Sequence, residues 1–197
     1  RFYVFDGENK LGYVTAYSQN GSEKTYFSGK TGGIAANNYC MWIAAKSKGY
    51  ALSHYYRPDD YKSFSDRIIQ NAANSGEILI TDTFNTNCNA DFIYYYSDPD
   101  STNYDKDALF IGEYHGESQP DTDHKIEHDK DGEKVKTNAY LIQYKPHVSS
   151  VLSSSTKTGL VVAQSHVPTV QRIYTMPDNI TGFAVVEGDM LLTDGEK

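Results

Sequence analysis

Asp91-Phe92-Ile93-Tyr94-Tyr95-Tyr96 and Ala108-Leu109-Phe110-Ile111-Gly112 decide how this chain is read. Each is a short run of aromatic and β-branched residues, and the turn-forming Asp98-Pro99-Asp100 lies between them, which is the pattern of two strands. Working outward, Glu77-Ile78-Leu79-Ile80-Thr81 precedes them and Ala139-Tyr140-Leu141-Ile142-Gln143-Tyr144 follows. Leu160-Val161-Val162-Ala163 and Val170-Gln171-Arg172-Ile173-Tyr174 continue the series. At the other end, Phe2-Tyr3-Val4-Phe5, Tyr13-Val14-Thr15-Ala16-Tyr17 and Thr25-Tyr26-Phe27 alternate with turn-rich segments. Asn20-Gly21 is a hairpin signal there, because both residues tolerate positive φ.

Helices are expected only between residues 38 and 75. Over 38–48, Asn38 is the candidate N-cap and Gly49 stands just past the end. The centre of that segment, Tyr39-Cys40-Met41-Trp42-Ile43-Ala44-Ala45, is apolar all round, so a buried strand is the alternative. Over 60–75, Tyr61, Phe64, Ile68 and Ala72 recur at helical spacing and Gly76 supplies the stop. The expected class is therefore α+β and β-dominant, a mostly antiparallel sheet or sandwich with one or two helices. A main domain over 1–148 is followed by a Ser-rich linker or loop at 149–159 and a C-terminal β segment over 160–197.

Composition narrows the function classes. The chain has 197 residues and a net charge of −8. Between Asp91 and Lys136 stand 13 acids and 5 bases, so one segment carries the whole imbalance. Clustered Lys and Arg are absent, which argues against nucleic acid as partner. No apolar run reaches the ~18 residues of a membrane span. Abundant Tyr and Asn point to a secreted, extracellular protein, with any leader expected before the strand that starts at Phe2. Cys40 and Cys88 suit either one disulfide or two buried free thiols.

Candidate chemistry is sparse. Ser28-Gly29-Lys30-Thr31-Gly32-Gly33 resembles the end of a phosphate loop, but Lys24 stands where the motif needs Gly and two glycines follow Thr31. His124-Lys125-Ile126-Glu127-His128 spells a zinc signature that works only on a helix, and its Asp-rich flanks give a helix no apolar face. His115, Glu117 and His166 have the residue types of a two-histidine, one-carboxylate metal site, because strand residues two apart share a face. Asp98, Asp100, Asn103 and Asp105 place oxygen donors at alternating positions, as calcium prefers. An EF-hand would need Gly and Glu where Asn103 and Leu109 stand, so a looser calcium loop is meant. Cys40, with His147 or His166, is the candidate nucleophile of a cysteine-based enzyme. No cofactor is expected; calcium is the one ion the acidic segment suits.

The last stretch, Gly182-Phe183-Ala184-Val185-Val186-Glu187-Gly188-Asp189-Met190-Leu191-Leu192-Thr193-Asp194-Gly195-Glu196, resembles the end of the propeptide in astacin-like and related metzincin zinc peptidases. The resemblance implies that Asp189, after Gly188, reaches a catalytic zinc and silences it, with Glu187 beside it. Val186 stands where the family usually has an aromatic residue. The resulting expectation is a secreted, non-enzymatic binding or regulatory domain with a protein partner, a zinc peptidase on this resemblance. The alternatives are a metal-dependent enzyme using His115, Glu117 and His166, and a cysteine-based enzyme using Cys40. The competing reading of the tail is a hairpin that closes the domain's own sheet.

Overall fold

The computed structural model describes residues 1–37, 40–53, 64–100, 106–115, 126–130, 133–137, 139–146, 167–177 and 179–194. Strands dominate and one helix is present among these residues, so the protein is β-dominant α+β. A six-stranded antiparallel sheet forms the centre, in the order β12 (Thr169–Met176), β11 (Ala139–Lys145), β8 (Ala108–Glu113), β7 (Asp82–Tyr96), β5 (Cys40–Ser53) and β4 (Gly33–Ala36). A smaller sheet joins β1 (Phe2–Asp6), β2 (Asn9–Asn20) and β3 (Glu23–Tyr26), with β6 (Glu77–Leu79) parallel to β2. Two hairpins complete the set: β9 (Ile126–Lys130) with β10 (Glu133–Thr137), and β13 (Ile180–Val186) with β14 (Asp189–Asp194).

The helix expected over 38–48 is not formed; Cys40–Ser53 is strand β5. The all-round apolar run is explained by burial on both faces of a sheet. Cys40, Trp42 and Ala44 enter one core, while Met41 and Ile43 enter another. A strand feeds two cores by alternation, whereas a helix here would have to bury its whole circumference. The Asn37 side chain makes a local contact here, accepting the Cys40 N–H at 2.9 Å. Asn38 itself lies outside the described residues.

Two irregularities swap the faces. At Lys46, in the left-handed region at φ 54°, the β5–β7 register slips, and Ala51 rather than an even-numbered residue enters the first core. The Thr86 hydroxyl meets the Lys46 carbonyl there at 2.9 Å. Between Ala90 and Phe92 the β7–β8 register slips again. Phe84, Cys88 and Ala90 line the first core, but beyond the slip Ile93 and Tyr95 line it and Phe92 faces the opposite side. A one-residue insertion reverses every side chain after it, which is how one long strand serves both faces.

The opposite side of the sheet is covered in two places. Near β5, the small sheet and the helix bring Val14, Ala16, Ala72 and Ile78 onto Met41, Ile43 and Leu52. Near β7, β8 and β11, the C-terminal hairpin brings Ile180 and Phe183 onto Phe92, Phe110 and Leu141. Helix α1 runs from Phe64 to Ala73, within the expected 60–75, and buries Ala72 with Ile68 half-buried beside it. Its close approach to β2 depends on Gly12, where a Cβ would meet the Ala72 carbonyl oxygen at 1.9 Å. The stop differs from expectation by one residue. Ser75, at φ 51°, takes the left-handed position; Gly76 N–H then bonds to the Asn71 carbonyl at 2.7 Å and Ser75 N–H to that of Ala72 at 3.0 Å. This double bond pattern is a Schellman cap.

Candidate functional site

Residues 180–194 build the site. Met176 and Ile180 are both buried, so the short link from β12 to β13 is fixed at each end. Asn179 N–H donates to the His115 carbonyl at 2.7 Å, which ties the start of β13 to the end of β8. Phe183 then meets Phe110 with ring centroids 4.5 Å apart and Tyr94 at 5.8 Å, the latter edge-on. Two aromatic contacts beyond simple burial anchor the hairpin's first strand.

The turn is Glu187-Gly188, with φ 53° and 90°, between Val186 and its partner Asp189. Both central residues have positive φ, the type I′ geometry that matches strand twist. Gly takes this conformation freely; Glu187 carries the strain. Past the turn, burial ends. Val186, Met190, Leu191 and Leu192 are 40–51% exposed, and Asp189 is exposed at the tip. β13 packs on β7 and β8, while β14 pairs with β13 alone among the described strands. The outcome is a strand with exposed Met190, Leu191 and Leu192, an edge unpaired among the described residues, and a carboxylate at its start. The tail is thus a hairpin, as the competing reading held, but it forms a separate two-stranded sheet packed on the central one and does not close that sheet.

The other candidates fare as follows. His115 is buried at the end of β8; Glu117 and His166 lie outside the described residues. Asp98 accepts the Asp100 N–H at 2.8 Å, forming its own turn, and donates its N–H to buried Asp107 at 2.9 Å; Asn103 and Asp105 lie outside the described residues. Among the described residues no group of three or more His, Cys, Asp or Glu is arranged to hold a metal. Glu127 and His128 lie on strand β9 rather than a helix, and His124 is outside the description.

Cys40 and Cys88 are two buried free thiols, the second of the two readings, and no disulfide joins them. Both sit in the first core. Burial pushes each thiol well above the ordinary cysteine range, the opposite of what a nucleophile needs. Cys40 also lies on a strand, without the helix start that would favour a thiolate, and His147 is outside the described residues. A cleft of about 390 Å³ opens beside Ser47, Lys48, Tyr50, Thr83, Phe84 and Asn85. Among the described residues Lys48 is its one charged group, and they offer no acid–base pair.

The residues that anchor the hairpin, His115 and Asn179 above all, were not read as a unit from sequence. Asn179 stands out only as part of the triplet Asn179-Ile180-Thr181, and it is 8% exposed, which disfavours it as a glycosylation site. Compared with protein families, curated proteins and solved structures, the chain has no match in any of the three.

Proposed function

We propose that the chain is a secreted, non-enzymatic binding domain that engages a protein partner through hairpin β13–β14, and that this partner is a zinc metallopeptidase. One observation carries the reading: Phe183 anchors β13 in the core while Val186, Met190, Leu191 and Leu192 stand exposed around a tip that offers Asp189. Soluble proteins seldom leave an apolar edge strand open unless something pairs with it.

The chemistry follows from the tip. A catalytic zinc keeps one position for water. A carboxylate on a two-residue turn is short, charged and unobstructed, so it can replace that water. β14 would add to the edge of the peptidase sheet by main-chain hydrogen bonds, with Met190 and Leu191 filling side-chain pockets. Gly188, lacking a Cβ, lets the metal-bearing surface approach the turn.

The test is inhibition of an astacin-class peptidase by the full chain. Inhibition should fall at least tenfold in Asp189→Ala, and Leu191→Asp should weaken it without touching the zinc ligand. If the unmutated chain leaves the peptidase fully active, the zinc reading fails.

A further inference from the structure

The small sheet carries a feature of its own, apart from the hairpin. On β2, Val14 and Ala16 point into the core, which turns Tyr13 and Tyr17 to the outer face of the small sheet. Their cross-strand partners are Tyr3 and Tyr26. The ring centroids of Tyr3 and Tyr13 are 6.1 Å apart and those of Tyr17 and Tyr26 are 6.3 Å apart. The two pairs stand four residues apart on one strand, about 13 Å at strand rise. Each pair carries a cation on a ring: Lys10 over Tyr3 at 4.0 Å, Arg1 over Tyr13 at 4.7 Å and Lys24 over Tyr17 at 4.5 Å. Tyr3 and Tyr26 are about half exposed, at 52% and 48%.

The fold does not require this stripe, since the small sheet's core lies on its other face. We propose that it is a platform for a neutral polysaccharide chain. Two features choose that ligand. The first is repetition: a cross-strand tyrosine pair recurs along the strand, with two cations on the first pair and one on the second, as suits a polymer of repeating flat rings. The second is charge. Residues 1–30 together with Glu77 carry four bases and four acids, a neutral patch on a chain of net charge −8. A phosphate or uronate chain would need clustered, unneutralised cations, and Lys24 is already paired with Glu77.

A pyranose ring suits such a face. Its axial C–H groups are weakly positive and pack on the negative face of an aromatic ring, first that of half-exposed Tyr26, which carries no cation among the described residues. Its hydroxyls can bond to the tyrosine hydroxyls, Lys24 and Glu77, which between them supply donors and acceptors. The platform is independent of the hairpin and of any peptidase.

The test uses the full chain in affinity electrophoresis through gels containing soluble β-glucan, mannan or xylan, with polygalacturonate and oligo(dT) as acidic comparators. The expected result is retardation by at least one neutral polymer, weakened about tenfold in the Tyr3→Ala/Tyr26→Ala double variant at unchanged Tm. Should the double variant unfold, Tyr3→Leu, which keeps an apolar edge-strand side chain, is read in its place with the same expectation. The proposal is overturned if no neutral polymer retards the chain or if retardation is indifferent to these tyrosines. It is equally overturned if the acidic comparators bind through them instead.

Discussion

The carboxylate of Glu113 accepts the backbone N–H of Asn89 at 2.6 Å, replacing a ladder bond that the β7 bulge has removed. Its other oxygen accepts the N–H of Tyr140 at 3.1 Å, just past the last β8–β11 pair. Glu113 is 3% exposed, so one buried side chain serves both neighbours of β8. Glu113→Ala removes a buried acceptor from both hydrogen bonds, a loss of about 3 kcal/mol. In thermal unfolding this is a fall in Tm of roughly 6–12 °C. Glu113→Gln retains one acceptor but turns an N–H₂ toward the second donor, so its Tm should fall between the two. A Glu113→Ala variant as stable as the parent would show that the bulge satisfies its own backbone.

Phe92 lies across Gly112 on β8, and Phe84 across Gly49 on β5, each in direct cross-strand register. A Cβ at either glycine would stand 2.1 Å from the facing ring. The two rings point to opposite faces of the sheet because the bulge lies between them. Gly112→Ala should therefore destabilise by overpacking, about 1–3 kcal/mol in denaturant unfolding. The cost belongs to the pair, so most of it should vanish when Gly112→Ala is made in a Phe92→Leu background. Equal costs in both backgrounds would place the strain elsewhere.

Strand identity was legible wherever aromatic and β-branched residues clustered, as at Phe92–Tyr96 and Leu109–Ile111. β5 was not, because an apolar run without period is the same string whether it feeds two faces of a sheet or surrounds a helix. The helix was found from Phe64, Ile68 and Ala72, but its cap was assigned to Gly76 when Ser75 takes the strained position. Local propensity points to Gly; the fold needs Gly76 bare for another reason, since its Cβ would stand 2.9 Å from the Asn71 carbonyl oxygen. At the candidate site the turn residues were visible and the anchor was not. Phe183 reads as one apolar residue among several until Tyr94 and Phe110, distant in sequence, are brought to it.

Burial sets the behaviour of the thiols. Both cysteines are held in the neutral form by the apolar core, and Cys40 donates to the Met41 carbonyl. Thiolate is the reactive species, so neither should react with a disulfide reagent such as Ellman's in the native protein at pH 8. Two equivalents should react in guanidinium chloride, since the sequence holds two cysteines and neither is bonded. Rapid native labelling of one cysteine would contradict this and revive the cysteine-based alternative. No labelling in denaturant would reveal a disulfide.

Glu77, Lys24 and Tyr26 form a surface triad in which the carboxylate accepts from both the ammonium and the phenol. The hydrogen bond from Lys24, then that from Tyr26, holds the Glu77 carboxyl below the ordinary glutamate range. The same bond to Glu77 raises both Lys24 and Tyr26. The signs fix the window. Because the folded Glu77 value is depressed, its contribution is present above the ordinary glutamate pKa of about 4.3 and is lost as pH falls through the folded value. Because Lys24 and Tyr26 are raised, theirs is complete below about pH 10 and is lost as pH rises through the folded values. Side-chain NMR titration should place Glu77 below the free glutamate value, and Lys24→Ala should return it upward. The groups are solvent-exposed, so added salt should shrink the shift as well. A Glu77 titration that ignores both Lys24→Ala and salt would mean that β3 and β6 are held together only through β2, with which each pairs, and not by this contact.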